Sequence, residues 1–189
     1  MDIIASSLKA TLEALESTVS DQLGLIDKVA SLISSCIENG GKVLLCGNGG
    51  SAADCQHIAA EFVNRFRLER SPLPAVALTT DSSIMTAVAN DYAFDEVFSK
   101  QVIALGKGRD ILIGISTSGS SPNVLKALDA AREKGLVTVG FTGKGGGKMV
   151  ERCDYLLRVA SEDTPRIQEV HIFCAHVICE LVERRLFKG

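Results

Sequence analysis

Five hydroxyl side chains crowd one short stretch, Ser116-Thr117-Ser118-Gly119-Ser120-Ser121, directly ahead of Pro122-Asn123. They follow the apolar run Ile111–Ile115, which reads as a buried strand. Ser121 is a good helix N-cap, and Pro122 suits the first helical position. Capping accounts for one serine. It does not account for five hydroxyls around one glycine. Together with free N–H groups at a helix start, they form a neutral cradle for a phosphate monoester, whose charge the helix dipole and hydrogen bonds can carry without a Lys or Arg cluster. A second loop, Gly47-Asn48-Gly49-Gly50-Ser51, follows another apolar run. Glycine there lets backbone N–H groups approach an anion, although a tight turn by itself also calls for glycine. The pattern is not GxGxxG and lacks a P-loop Lys, so dinucleotide and nucleoside-triphosphate readings drop out.

The chain holds three histidines, His57, His171 and His176. His57 and Glu61 are four residues apart on the helix that begins at Ser51. Asp54, His57, Glu61 and Asn64 share one face of it, with Ile58, Phe62 and Phe66 on the other. By spacing alone this is a solvated polar face carrying an i,i+4 pair. A last helix, capped by Thr164 and opened by Pro165, places Ile167, Val170, Cys174, Val177, Ile178 and Leu181 in a core stripe. Gln168, Ile172 and His176 line a second stripe, and a covered His176 needs partners. His171 lies nearer the core stripe and reads as structural.

These loops and faces need a scaffold. Residues 3–39 hold apolar groups three and four apart and no proline, so they predict either one long helix or two in succession divided near Asp21–Gly24, ended in both cases by Gly40-Gly41. From residue 42 onward, strands are expected at Lys42–Cys46, Ala75–Leu78, Ile111–Ile115, Val137–Phe141 and Tyr155–Val159. Helices are expected at about 51–67, 82–89, 95–105, 122–134 and 164–187. Strands without clean alternation, separated by helices, predict an α/β fold, a three-layer doubly wound parallel sheet of about five strands. The long helix forms an N-terminal helical arm (1–40) ahead of the sheet domain (41–189). It suits a bundle between subunits, or packing on its own domain.

Composition narrows the classes further. The chain has 189 residues, 20 Lys+Arg against 23 Asp+Glu, seven Phe, two Tyr and no Trp. That balance lacks the basic surface or stacking platform of a nucleic-acid binder. A mean hydropathy of +0.21 is high for a chain with no membrane span and points to apolar surface between subunits. The six cysteines form no CxxC pair and read as reduced core thiols. The start Met1-Asp2 is not followed by a basic segment and apolar core, so a cytoplasmic location is expected.

Five segments in order, CGNGGSAADCQHIAAE (46–61), ALTTDSSIMTAVANDY (77–92), GISTSGSSPNVLKAL (114–128), FTGKGGGKM (141–149) and RIQEVHIFCAH (166–176), resemble the sugar isomerase (SIS) domain family on its heptose-phosphate branch. The resemblance spans nearly the whole chain. It implies an isomerase that interconverts sedoheptulose 7-phosphate and D-glycero-D-manno-heptose 7-phosphate through an enediol. This is the first step toward nucleotide-activated heptose for lipopolysaccharide core or other surface glycans.

Position by position, the resemblance implies that His57, Glu61, Gln168 and His176 bind zinc, one ion per subunit. Glu61 and His176 take the acid–base roles. Ser116, Thr117, Ser118 and Ser121 match the phosphate loop. Asn48, Gly49, Gly50, Ser51, Asn90 and Asp91 line the sugar pocket, where Glu61 and Gln168 also reach the substrate. A homotetramer with active sites at subunit interfaces is implied, with no nucleic-acid or membrane partner. Gln168 and His176 are separated by a rise of about 12 Å in an ideal helix. To share a metal they lean together, the helix bends, or the two come from different chains. Non-catalytic members that bind the bacterial replication initiator, or sense sugar phosphates in regulators, are the alternative. The scaffold relatives keep the phosphate loops but lack the equivalents of Glu61 and His176, which this chain has.

Overall fold

A computed structural model describes residues 2–187, leaving Met1 and 188–189 outside the described residues. The apolar runs form five strands, β1 (Val43–Gly47), β2 (Ala75–Ala77), β3 (Ile111–Ile115), β4 (Val137–Thr142) and β5 (Tyr155–Arg158). All pair in parallel, in the order β2-β1-β3-β4-β5. Both faces are covered, which is why β1 and β3 are buried at every position and show no polar alternation.

Six helices are α1 (Ile3–Glu38), α2 (Gly50–Val63), α3 (Ser82–Asp91), α4 (Ser99–Leu105), α5 (Pro122–Glu133) and α6 (Thr164–Leu186). One face of the sheet gives Leu45, Ile113 and Phe141 to a core with α1, α2 and α6. The other gives Leu44, Cys46 and Leu112 to a core shared with α4 and α5. The expected doubly wound, three-layer α/β sheet is what forms.

Helix α1 runs unbroken through Asp21–Gly24, the single long helix of the two alternatives. A Cβ added at Gly24 would meet nothing within 4 Å, so the glycine sits on an open face, while Thr18, Ile26 and Val29 carry the buried face across it. The helix lies parallel to α6 along its length. Arg166 donates to the Ser7 carbonyl, Thr11 to the Glu169 carboxylate and Arg185 to Asp27. Val29, Ala30 and Ile33 are fully buried against the sheet, so the arm is part of the same core, while Ile3, Ile4, Leu8 and Leu23 remain exposed on it.

Two further boundaries differ from expectation. The residue before α6 is Asp163, which places Thr164 at the first helical position rather than at the cap. The segment expected as helix 95–105 is a 3₁₀ turn at Phe94–Glu96 followed by α4. The six cysteines are free and, apart from half-buried Cys153, buried. Burial pushes the Cys46 thiol above the range of a reactive thiol, and that of Cys174 up to about 12. Among the described residues no helix is long and apolar enough to cross a membrane.

Candidate functional site

In an open parallel sheet, ligands bind beyond the carboxyl ends of the strands, where the strand order reverses. Here that point lies between β1 and β3, and both predicted anion loops leave the sheet there. Gly49 takes φ +56° to turn the chain into α2, which starts with no side-chain cap on its first N–H groups. The loop after β3 ends in α5, and its N-cap Ser121 also makes no capping bond. The Ser121 hydroxyl instead pairs with the Ser116 hydroxyl (2.9 Å), and the Ser118 hydroxyl accepts from the Ser120 amide (3.2 Å). The hydroxyls are thus gathered into the loop, not spent on the helix end.

The loop is backed by a second glycine-rich turn, Gly143–Gly147. The amides of Gly143 and Met149 donate to the carbonyls of Thr117 and Gly119, and a Cβ on Gly119, at φ +63°, would lie 2.1 Å from the Gly146 oxygen. Thr117, Ser118, Lys144 and Gly145 line a cleft of about 210 Å³ there. Across the sheet, Asn48 and Asn123 exchange two amide hydrogen bonds of 2.9 and 2.8 Å. This pair ties the two loops together. The sequence reading placed Asn48 in the site but missed Asn123, whose partner is 75 residues away.

The histidines meet on the α2–α6 seam. His176 Nε2 lies 3.2 Å from His57 Nε2, and His57 Nε2 lies 3.0 Å from Glu61 Oε1. One donor atom from each of the three falls within 4.8 Å of the others. Around a tetrahedral zinc ion, bond lengths near 2 Å put neighbouring donor atoms about 3.3 Å apart, so two imidazoles and a carboxylate at these separations fit a metal. Asp54 sits one turn before His57. Burial raises its carboxyl above the usual range, and the nearby His57 and His176 pull it partly back. His171 takes no part. It is buried against Phe141, its Nε2–H donates to the Thr142 carbonyl, and burial pushes its pKa down to about 4.

The remaining candidates fall as follows. Gln168 stands at the same seam, its amide nitrogen 2.6 Å from where a Cβ on Gly50 would be. Gly50 therefore faces Gln168 as His57 faces His176, about 10 Å further along the helices. Ser51 is buried beside them. Asn90 and Asp91 end α3, exposed, with the Asn90 amide donating to Asp91 (2.8 Å). No residue of α3 is buried. Two residues expected on α2 lie beyond it. The helix stops at Val63, so Asn64 is its C-cap, and Phe66 leaves the apolar face to stack on His176 with ring centroids 5.5 Å apart.

A 2-1-3-4-5 parallel sheet with glycine- and hydroxyl-rich loops at its switch point defines a doubly wound α/β protein whose ligand site lies at those loops. The family model described as the SIS domain matches residues 6–143, and the chain belongs to that family. Within it, the chain belongs with the phosphoheptose isomerases. It is 54% identical over 189 residues to the phosphoheptose isomerase of Desulfovibrio desulfuricans, covering all of this chain and 90% of that one. Solved structures of phosphoheptose isomerases from Neisseria gonorrhoeae and Francisella tularensis superpose with TM-scores of 0.91 and 0.93. Identity is 44% over 95% of this chain and 96% of the first, and 40% over 96% of both chains for the second.

Proposed function

We propose that this chain interconverts sedoheptulose 7-phosphate and D-glycero-D-manno-heptose 7-phosphate, feeding nucleotide-activated heptose into surface glycans. The observation that carries this reading is the His57–Glu61–His176 cluster on the α2–α6 seam, with His57 and Glu61 on the helix that opens directly from the first of the two anion loops. The loop Ser116, Thr117, Ser118 and Ser121 takes the phosphate, and Asn48, Gly49, Gly50, Ser51 and Gln168 face the sugar. Ketose and aldose differ by a proton moved between C1 and C2 and another moved between the oxygens. Glu61 removes a proton from C1 as the C1–C2 double bond forms and His176 protonates O2, giving the enediol. Glu61 then returns its proton to C2 while His176 takes the proton from O1, leaving the C1 aldehyde. His57, Glu61 and His176 are the residues that would hold zinc, which when bound polarises the carbonyl. Gln168, expected as a fourth ligand, lies instead against Gly50 about 10 Å back along the seam and faces the sugar.

The assembly we propose is a homotetramer with sites at subunit interfaces. The unburied helix α3, with Ile84 exposed on it and Tyr92 and Phe94 exposed just beyond, and the apolar row on α1 supply surface for it. Asn90 and Asp91, exposed at the end of α3, are then placed to reach a neighbouring site. The location that suits this substrate is the cytoplasm. The test is turnover of sedoheptulose 7-phosphate by the purified protein, read by appearance of heptose 7-phosphate, with Glu61→Gln beside it. Loss of a general base costs about 10²- to 10⁴-fold in rate. A folded Glu61→Gln protein with full turnover sinks the base assignment, and an inert parent sinks the activity.

A further inference from the structure

Beyond the end of α2, a charged pair lies inside the protein, apart from the anion loops and from the His57–Glu61–His176 side chains. Arg70 Nε donates to Glu183 Oε1 at 3.0 Å, and the side chains are 2% and 1% exposed. Glu183 also accepts from the backbone amides of Phe66 (3.0 Å), Arg67 (2.8 Å) and Leu68 (2.9 Å). Four donors on one carboxylate satisfy it fully. Burial alone would raise its pKa, but these hydrogen bonds outweigh that and hold it below the usual carboxylate range. The Arg70 guanidinium goes on to the carbonyls of Glu61 and Phe62, both at 2.7 Å, which are orphaned by the end of α2.

This pair joins the two helices that carry the proposed acid–base groups. Glu183 is seven residues after His176 on α6, and Arg70 grips the backbone of Glu61 on α2. Between them runs the segment whose Phe66 ring stacks on His176, with planes 27° apart. A buried ion pair is weak evidence for stability, because desolvation offsets most of the attraction. A carboxylate that collects three consecutive amides does fix a loop.

We propose that Glu183 is a positioning residue: through the 66–68 amides and Arg70 it seats Phe66 on His176, which holds that imidazole turned toward His57 and Glu61. This rests on the acid–base reading of His176 given above. It predicts that Phe66, half-exposed on a loop, can be changed without unfolding the protein. Phe66→Leu should lower kcat about tenfold or more with KM within about twofold, since a mis-set acid–base group costs transition-state rather than ground-state binding. Phe66→Tyr, which keeps the stacking ring, should restore the rate.

The His176 ring protons, followed by NMR in the protein as purified, report the stack without turnover. Shielded by Phe66, they should move downfield in Phe66→Leu and equally in Glu183→Gln. If Glu183→Gln fails to fold, Phe66→Leu and Phe66→Tyr carry the test alone. An unmoved His176 resonance, a kcat within twofold of the parent, or a loss confined to KM overturns the proposal. A parent that does not isomerise sedoheptulose 7-phosphate, with the resonance still moving in Phe66→Leu, overturns the assigned activity and leaves the positioning contact standing.

Discussion

Gly50 and Gln168 touch across the α2–α6 seam, with the Gln168 amide nitrogen 2.6 Å from the place a Cβ on Gly50 would occupy. The contact is made by the far end of a flexible side chain, so an added methyl can push it aside at little cost to the fold. Helix propensity favours alanine over glycine by about 1 kcal/mol, which offsets that cost. Gly50→Ala should therefore melt within a few degrees of the parent. Its kcat/KM should nevertheless fall about tenfold, a barrier increase of about 1.4 kcal/mol, because Gln168 is displaced from the sugar side of the site. Thermal melting and steady-state kinetics on one preparation decide it. Unchanged kinetics would remove Gln168 from the proposed site.

The idle cap at Ser121 gives a second prediction. A serine cap normally costs about 1 kcal/mol when replaced by alanine. Ser121 makes no capping bond, so Ser121→Ala should lose little stability and should instead weaken phosphate recognition. A hydrogen bond to a charged group contributes about 1.5–3 kcal/mol, so KM for the sugar phosphate should rise roughly tenfold to a hundredfold. Inorganic phosphate should weaken in parallel as a competitive inhibitor. Asp81 is the control. Its carboxylate does cap α3 by accepting from the Ile84 amide at 2.8 Å, so Asp81→Ala should lower the melting temperature.

What could be read in advance follows the range of the interactions. β3 was legible residue for residue, and the other strands to within one, because a strand covered on both faces must be apolar throughout. The loops were legible because glycine and hydroxyl residues cluster locally. The route of the chain after α2 was not. A face assignment puts Phe66 with Ile58 and Phe62, but it presumes a helix that continues. The helix ends where Arg70 takes its carbonyls, and Arg70 is held by Glu183, 113 residues away. Neither charged residue differs in sequence from a solvated one. The pairing of Asn123 with Asn48 was hidden for the same reason, since the two amides meet only across 75 residues of chain.

The buried His171 makes stability depend on pH in a defined window. Burial lowers its pKa from 6.5 to about 4, so between these values the unfolded chain binds a proton that the folded chain refuses. Stability then rises with pH, is fully present above 6.5, and is lost progressively as pH falls toward 4. One pKa unit corresponds to 1.36 kcal/mol, which sets the loss between pH 7 and pH 5 at about 2 kcal/mol. His171→Gln keeps an N–H that can donate to the Thr142 carbonyl but does not titrate. It should start less stable at pH 7, because an amide fills the space beside Phe141 less well than the ring does. Its urea midpoint should, however, fall less between pH 7 and pH 5 than that of the parent. The carboxylates, Glu183 included, titrate in both proteins and cancel in the difference. Parallel midpoints across that range would mean that His171 takes up its proton as readily in the fold as in the unfolded chain.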